Sequence, residues 1–288
     1  NMFVQITVEG RFIDVKLIRH NQPIFVSGLG EAPFRAFVSQ YKGLSITDSL
    51  VVGVPYGGKN DGTSLVYLDG VTKATASVRI AHESILAAAQ AIAREKMQGL
   101  GARSAAKPDP GIDESLDWDD LVEQGIAMRR LVTNAEVQSA FAGTKFVDDD
   151  PEAFENPQEA YLDLWVIDLG PPSVAAAVLE KDTLAQLRRF LSINPESEPV
   201  LVIDAGRHGL VTEEFIRNTS PDLLSAEQGG LPVALRDADL LIELKPDVPK
   251  GTALILRTDR RLGFNPASEW TFKVRALRAH GSFQPELG

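Results

Sequence analysis

One long amphipathic segment constrains the fold of this chain more than any other feature of its sequence. From about Ser77 to Gln98, apolar residues recur at the spacing of one face of an α-helix. A helix with a single apolar face needs a partner surface to cover it. Because β-rich runs lie on both sides of this segment, the sequence predicts an α+β protein. The apolar stripe consists of Ile80, Ile85, Leu86, Ala89, Ile92, Ala93 and Met97.

The first hundred residues predict a small antiparallel sheet. Met2–Val8 and Phe12–Arg19 alternate apolar and polar residues around a Glu-Gly turn, which is typical of a β-hairpin. Leu50–Pro55 and Thr63–Leu68 are β-rich runs on either side of a turn-prone stretch at 57–62, which suggests a second hairpin. A helix is predicted over Glu31–Tyr41.

A change of composition suggests where the chain divides. The stretch from Gly99 to Gly111 is rich in small residues and contains two prolines, as linkers often do. Residues 101–170 hold 5 basic and 16 acidic side chains, which accounts for the whole net charge of -11. We predict a domain at 1–100, an acidic connector at 101–130 and a mixed α/β domain at 131–288.

Further elements are predicted after the boundary from the same patterns. Helices are expected at Leu116–Leu131 and Asn134–Phe141, and a helix or helix pair at Pro171–Leu191. An acidic loop is expected at Asp148–Pro157. The expected strands are Tyr161–Leu169, Pro199–Asp204, Leu231–Arg236, Leu240–Leu244, Thr252–Arg257 and Trp270–Leu277. Thr133 or Asn134 is expected to cap the second of these helices.

Several classes of function are disfavoured by what the sequence lacks. The chain has no cysteine, which excludes disulfides, thiolate metal sites and cysteine nucleophiles. Its four histidines do not have metal-ligand spacing, and neither a phosphate-binding loop nor a nucleophile elbow is present. No apolar run reaches the length of a membrane helix, and no stripe of basic and aromatic residues suggests nucleic-acid binding. We therefore predict no catalytic residue, no metal ligand and no nucleic-acid partner.

The segment Asp69-Gly70-Val71-Thr72-Lys73-Ala74-Thr75 joins a predicted strand to the long helix. Asp-Gly predicts a turn, and the small residues allow close approach of another group. Thr75 falls just before the helix, where free backbone N–H groups and the helix dipole favour a negative charge. Taken alone, the pattern is better explained by a plain strand–turn–helix joint in which Thr72, Thr75 or Ser77 caps the helix.

This segment resembles the flavinylation motif of FMN-binding domains, in which Asp-Gly is followed by a Ser or Thr and then by Ala-Thr. Such domains occur in the FMN-carrying subunits of the sodium-pumping quinone reductase and of the Rnf complex, and in NosR/NirI-type regulators. The flanking residues resemble the NosR/NirI type in particular, at 18–24, 28–30, 33–41, 132–137 and 161–172. Where the family usually has glycine or another small residue, this chain has Lys73.

The resemblance implies a covalently bound flavin. In the family, the last threonine of the motif carries FMN through a phosphoester bond, which a separate Mg²⁺-dependent flavin transferase forms from FAD. That threonine corresponds to Thr75, and residues 1–100 would then be an antiparallel-sheet FMN-binding domain, with few cofactor contacts expected from 112–288. The other cofactor-binding candidates are the motif residues Asp69, Gly70, Val71, Thr72, Lys73 and Ala74 and, with packing or turn formation as the alternative role, His20, Gly28, Leu29, Gly30 and Tyr56.

The resemblance also implies a role in electron transfer or redox sensing, without substrate chemistry of the segment's own. The chain would be the soluble periplasmic part of an inner-membrane regulator that supports nitrous-oxide or nitrite respiration. Expected partners are the flavin transferase, the membrane and iron–sulfur part of the same full-length protein, and a respiratory reductase or its electron donor. The alternative is a non-redox interaction or ligand-sensing module whose flavin motif has degenerated at Lys73.

Overall fold

The computed structural model describes residues 1–53, 65–98, 105–109, 111–144, 146–213, 215–278 and 286–287. Helices combined with mainly antiparallel sheets make this an α+β protein, which confirms the predicted class. Within these ranges, no helix is both long and apolar enough to cross a lipid bilayer. The elements of the first part are β1 (Met2–Ile6), β2 (Phe12–Leu17), α1 (Pro23–Val26), α2 (Ala32–Ser39), β3 (Ser49–Val52), β4 (Leu65–Leu68) and α3 (Thr75–Gln98).

Only the first of the two predicted hairpins is present. Strands β1 and β2 pair antiparallel, as predicted. Strands β3 and β4 instead pair in parallel, with Ser49 opposite Leu65 and Val52 opposite Leu68. A tight turn cannot join parallel strands, so the second hairpin prediction is wrong. The turn-prone residues 57–62 that suggested the hairpin lie outside the described residues.

Helix α3 is the longest element of the protein and begins at Thr75, two residues earlier than the apolar pattern suggests. In the first part of the chain it lies against β1 and β3, and its buried apolar residues are Val78, Ala81, Ile85, Ala89 and Ala93. Ile80 and Ile92 were part of the predicted stripe but are exposed. The helix was therefore predicted correctly, while the centre of its buried face is rotated from the predicted one.

The second part consists of two antiparallel sheets with helices on one side. Its elements are α4 (Trp118–Glu123), β5 (Ala127–Thr133), α5 (Asn134–Ala140), α6 (Pro151–Glu155), β6 (Ala160–Asp168), α7 (Pro172–Val178), α8 (Lys181–Ile193), β7 (Ser197–Asp204), β8 (Leu224–Gln228), β9 (Leu231–Val233), β10 (Arg236–Asp237), β11 (Thr252–Asp259), β12 (Thr271–Arg275) and β13 (Glu286–Leu287). The sheet orders are β10-β11-β7-β6-β5 and β13-β12-β8-β9.

The helix predicted over Leu116–Leu131 is wrong in its second half. Helix α4 starts with a capping box at Asp117 and ends at Glu123. Gly125 follows with a φ of 69°, a left-handed conformation that ends the helix. Strand β5 then begins at Ala127, inside the range that the sequence assigns to the acidic connector.

Two other local predictions in the second part differ from the structure, and one strand was missed. Leu240–Leu244 was predicted to be a strand, but in the described residues it forms only an isolated bridge from Leu244 to Leu179. Its alternating apolar side chains cover the core beneath α7 and α8 and form no ladder. The predicted acidic loop contains the short helix α6, and strand β8 was not predicted.

The five-stranded sheet separates two hydrophobic cores. Alternate residues of β7 and β11, such as Val202 and Leu256, face the four-stranded sheet. Their neighbours, such as Ile203 and Ile255, face α7 and α8. Strand β7 is buried at every position, as expected for a central strand covered on both faces.

Helix α3 also contacts the second part of the chain. The guanidinium of Arg94, a residue that is 3% exposed, donates hydrogen bonds to the backbone carbonyls of Gln228, Leu231 and Pro232 at 3.2, 3.0 and 2.6 Å. The first of these carbonyls belongs to the last residue of β8, and the other two belong to β9. Because α3 also lies against β1 and β3, this helix connects both parts of the structure.

Candidate functional site

The motif residues form a short loop that connects β4 to α3. Asp69 and Gly70 follow β4 directly, and the Ala74 N–H closes a turn onto the Val71 carbonyl at 2.9 Å. The Gln40 side chain holds the start of the loop, since it accepts from the Asp69 N–H at 2.7 Å and donates to the Asp69 carbonyl at 3.0 Å. Ala74 is buried in the core of the first part. The loop is therefore fixed at both ends.

Thr75 is the first residue of α3, and its side chain is exposed. No described residue forms a hydrogen bond with its hydroxyl. Ala74 precedes the helix and has no side-chain oxygen that could cap the free N–H groups of the first turn. A 24-residue helix thus presents its positive end and a free hydroxyl at one point. An anionic group on this hydroxyl would be stabilised there.

Lys73 has a left-handed backbone conformation, with a φ of 67°. Only glycine adopts this conformation readily, because a Cβ crowds the neighbouring carbonyl. The flavinylation motif usually has glycine or another small residue at this position, and the backbone conformation of Lys73 favours glycine there. The Lys73 side chain is exposed.

The other predicted cofactor residues lie near α1 and α2. His20 is almost fully buried, lies 3.4 Å from a Glu31 carboxylate oxygen and makes edge-to-face contacts with Phe25 and Phe34. His20 Nδ1 accepts from the Gln22 N–H at 3.3 Å, and the Gln22 side chain accepts from the Ser77 hydroxyl at 3.0 Å. His20 is thus linked through one residue to the first turn of α3, although its ring packs within an aromatic cluster.

Gly28, Leu29 and Gly30 follow α1. A Cβ at Gly28 would lie 2.8 Å from the Ile24 carbonyl oxygen, and Gly30 has a φ of 73°, so both glycines are explained by the turn. Leu29 is partly exposed. Tyr56 lies outside the described residues. No cluster of three or more histidine or acidic side chains within the described ranges could hold a metal ion.

A large cleft that sequence analysis did not identify lies between α3 and the second part of the chain. Its volume is about 1220 Å³, which exceeds the typical range for small-molecule sites. One face of α3 forms one wall through Arg79, Glu83, Leu86 and Gln90, and residues from β3 extend this wall. The opposite wall comes from β8, β9, β11, β12 and the loops between them. Only the spatial pairing of distant segments creates this cleft, so no local pattern could have revealed it.

Tyr41 and His82 form a buried pair at the cleft wall. The Tyr41 hydroxyl lies 2.7 Å from His82 Nδ1. Burial lowers the pKa of His82 to about 4, a hydrogen bond with the Leu50 backbone opposes this change, and the positive charges of Arg79 and Arg275 add to it. Burial raises the pKa of Tyr41. Both groups are therefore neutral at pH 7.

The deeper part of the cleft contains polar groups that lack protein partners. The Thr258 hydroxyl has no hydrogen-bond partner, although the residue is only 4% exposed. Gln90 is 5% exposed, and in the described part of the chain its amide makes no hydrogen bond. Buried polar groups normally find partners, and exceptions point to a water or a ligand. The cleft can therefore accept a molecule with polar edges and an apolar body.

Comparisons with known proteins identify relatives over most of the chain. It is 26% identical to Regulatory protein NosR of Stutzerimonas stutzeri over 98% of its own length, and 23% identical to Regulatory protein NosR of Pseudomonas aeruginosa over 93%. It is also 26% identical to Protein NirI of Paracoccus denitrificans over 92% of its length. The chain spans less than two fifths of each relative: 39%, 38% and 36%.

Two further comparisons give no relatives. No protein-family model matches the chain. No solved structure is significantly similar to it.

Proposed function

We propose that this chain, which is of the NosR/NirI type, is the flavin-carrying segment of a larger regulatory protein and holds FMN through a phosphoester bond to Thr75. One observation carries the proposal. The hydroxyl that matches the acceptor position of the flavinylation motif is exposed and without a partner at the uncapped start of a long helix. A threonine in the core would be buried, and a threonine that caps a helix would use its hydroxyl in a hydrogen bond to the backbone.

The physical chemistry of the loop supports attachment at this position. A phosphodiester retains one negative charge at neutral pH, and the first turn of α3 stabilises a charge of that sign. The exposed Lys73 ammonium, two residues away, has the complementary charge. Bound flavin would supply the redox chemistry, while these residues anchor and orient it.

The proposed role is electron transfer or redox sensing in support of nitrous-oxide or nitrite respiration, with this segment in the periplasm. A flavin transferase would act on it during maturation. The membrane and iron–sulfur part of the full-length protein, and a respiratory reductase or its electron donor, would exchange electrons with it. In the periplasm, a covalent bond would keep the cofactor attached to the protein.

A second candidate function is a non-redox interaction or ligand-sensing module. The left-handed Lys73 favours it, because a side chain has replaced the small residue that this backbone prefers. In that case Thr75 would remain unmodified, and the large cleft would bind a different ligand.

Intact-mass spectrometry separates the two candidates. The chain is exported to the periplasm of a host that coexpresses a flavin transferase, with a known flavinylated domain as a positive control. We expect a mass increase of one FMN moiety, which Thr75→Val abolishes. The matched control is Thr72→Val, also exposed in the same loop, which should leave the increase intact. An unmodified wild-type chain beside a modified positive control would overturn the proposal.

A further inference from the structure

We infer that the flavin ring lies in the cleft between α3 and the second part of the chain, so that both parts form its site. This inference rests on the proposed attachment at Thr75. It differs from the expectation that residues 112–288 make few contacts with the cofactor. The structure supports it through the direction of one helix face and the chemistry of the cleft walls.

The attachment point and the cleft share one face of α3. Thr75, Arg79, Leu86 and Gln90 follow each other at intervals of four, seven and four residues, which places their side chains along one side of the helix. The last three line the cleft. Along the helix axis, Arg79 lies about 6 Å from Thr75 and Leu86 about 16 Å. A phosphate and ribityl chain bridges the shorter of these two distances, so a ring attached at Thr75 reaches the cleft beside Arg79 and extends from there toward Leu86.

The walls of the cleft match the two kinds of surface that an isoalloxazine presents. The cleft lining includes Leu86 and Ala87 on α3 and Val233 and Ala234 from the second part of the chain, and these residues offer apolar contacts to the faces of a planar ring. At its edges the ring carries carbonyl oxygens and nitrogens. The unpartnered Thr258 hydroxyl and the Gln90 amide lie in the same cleft and can satisfy such groups.

Two cationic side chains, Arg79 and Arg275, line the cleft from opposite parts of the chain, among acidic residues that include Glu83 and Asp222. A positive charge near the pyrimidine end of a flavin stabilises the negative charge that reduction places there. The second part of the chain would thus tune the cofactor as well as enclose it.

The test uses the full chain, flavinylated by coexpression, and reads the environment of the ring. Ala234→Trp introduces a bulky side chain into the cleft from the second part. Ala185→Trp is the matched control, because Ala185 is exposed on α8 outside the cleft. The readouts are the visible circular dichroism of the flavin, its fluorescence lifetime, and its quenching by iodide, with intact mass to confirm attachment.

We expect iodide to quench the wild-type flavin several-fold less efficiently than free FMN. Ala234→Trp should retain the FMN mass but change the dichroism or lifetime, whereas Ala185→Trp should match the wild type. If Ala234→Trp fails to fold, iodide quenching of the wild type decides. Quenching equal to that of free FMN, or unchanged spectra in a folded Ala234→Trp, would overturn the inference. A wild-type chain without FMN mass would instead refute the proposed attachment, so the two failures are distinguishable.

Discussion

Glu83 on α3 and Arg236 on β10 form an ion pair in which two guanidinium nitrogens, Nε and Nη2, donate to the same carboxylate oxygen at 2.9 and 2.6 Å. The other oxygen of Glu83 accepts from the Ser220 N–H. The Glu83 side chain is only 10% exposed. Together with Arg94, eleven residues further along, it fixes α3 to the second part of the chain on both sides of Gln90.

Breaking this pair should destabilise the protein as a whole. Glu83→Gln removes the charge that Arg236 and the Ser220 N–H rely on, and we expect it to lower the free energy of unfolding by about 1–3 kcal/mol. Chemical denaturation at pH 7 measures the change. Asp14→Asn is the control, because Asp14 pairs with the exposed Lys16 on the same strand and should leave the midpoint unchanged. Equal effects of the two variants would contradict this account of how α3 is held.

Sequence patterns correctly predicted the elements that are held together mainly by contacts between residues close in sequence. The α3 helix and the β1–β2 hairpin are visible in their periodicity, and α5 begins at a Thr133–Glu136 capping box, as predicted for Thr133. The run Pro199–Asp204 identified the buried strand β7. The parallel pairing of β3 with β4 and the order of the five-stranded sheet depend on contacts between distant residues, which periodicity does not encode.

The candidate site divides in the same way. The motif placed Thr75 at a helix start, because the motif and the start of the helix are contiguous in sequence. The second wall of the cleft, which includes Thr258 and Arg275, comes from residues some two hundred positions away. Neither residue has a local signal of function: an isolated threonine in a strand pattern predicts only a strand.

The backbone conformation at Lys73 leads to a second prediction. Lys73→Gly should increase the free energy of unfolding by up to about 1 kcal/mol, because glycine adopts the left-handed conformation without strain. Part of this gain is lost because glycine makes the unfolded chain more flexible. Lys73→Ala removes the charge but keeps the Cβ, so it should give no increase. Thermal unfolding of the three proteins measures the difference. Equal stabilisation by glycine and alanine would show that charge, and not backbone strain, determines stability at this position.

The Asp168–Glu198 pair gives a pH-dependent prediction, and Glu198 lies directly opposite Thr258 in the pairing of β7 with β11. Glu198 is fully buried, and its Oε1 atom has no hydrogen-bond donor. Burial, and then the nearby charge of Asp168, raise the pKa of Glu198 to about 8, although the Arg260 guanidinium, which donates to Oε2, opposes this rise. Burial also raises the pKa of Asp168. The two carboxyl groups therefore retain a proton at neutral pH.

The direction of the pH effect follows from that raised pKa. Between the unfolded value of 4.5 and the folded value of about 8, the folded chain binds a proton that the unfolded chain has lost. The contribution of Glu198 to stability is therefore greatest below pH 4.5 and falls as the pH rises to about 8.

Glu198→Gln keeps an uncharged group that can donate to Asp168, so its stability relative to the wild type should improve from pH 5.5 to pH 8.5. Urea denaturation at the two pH values measures this. Glu196→Gln, on an exposed carboxylate whose pKa is lowered by Lys107, should show no such trend. The assignment is wrong if Glu198→Gln and the wild type keep the same stability difference at both pH values.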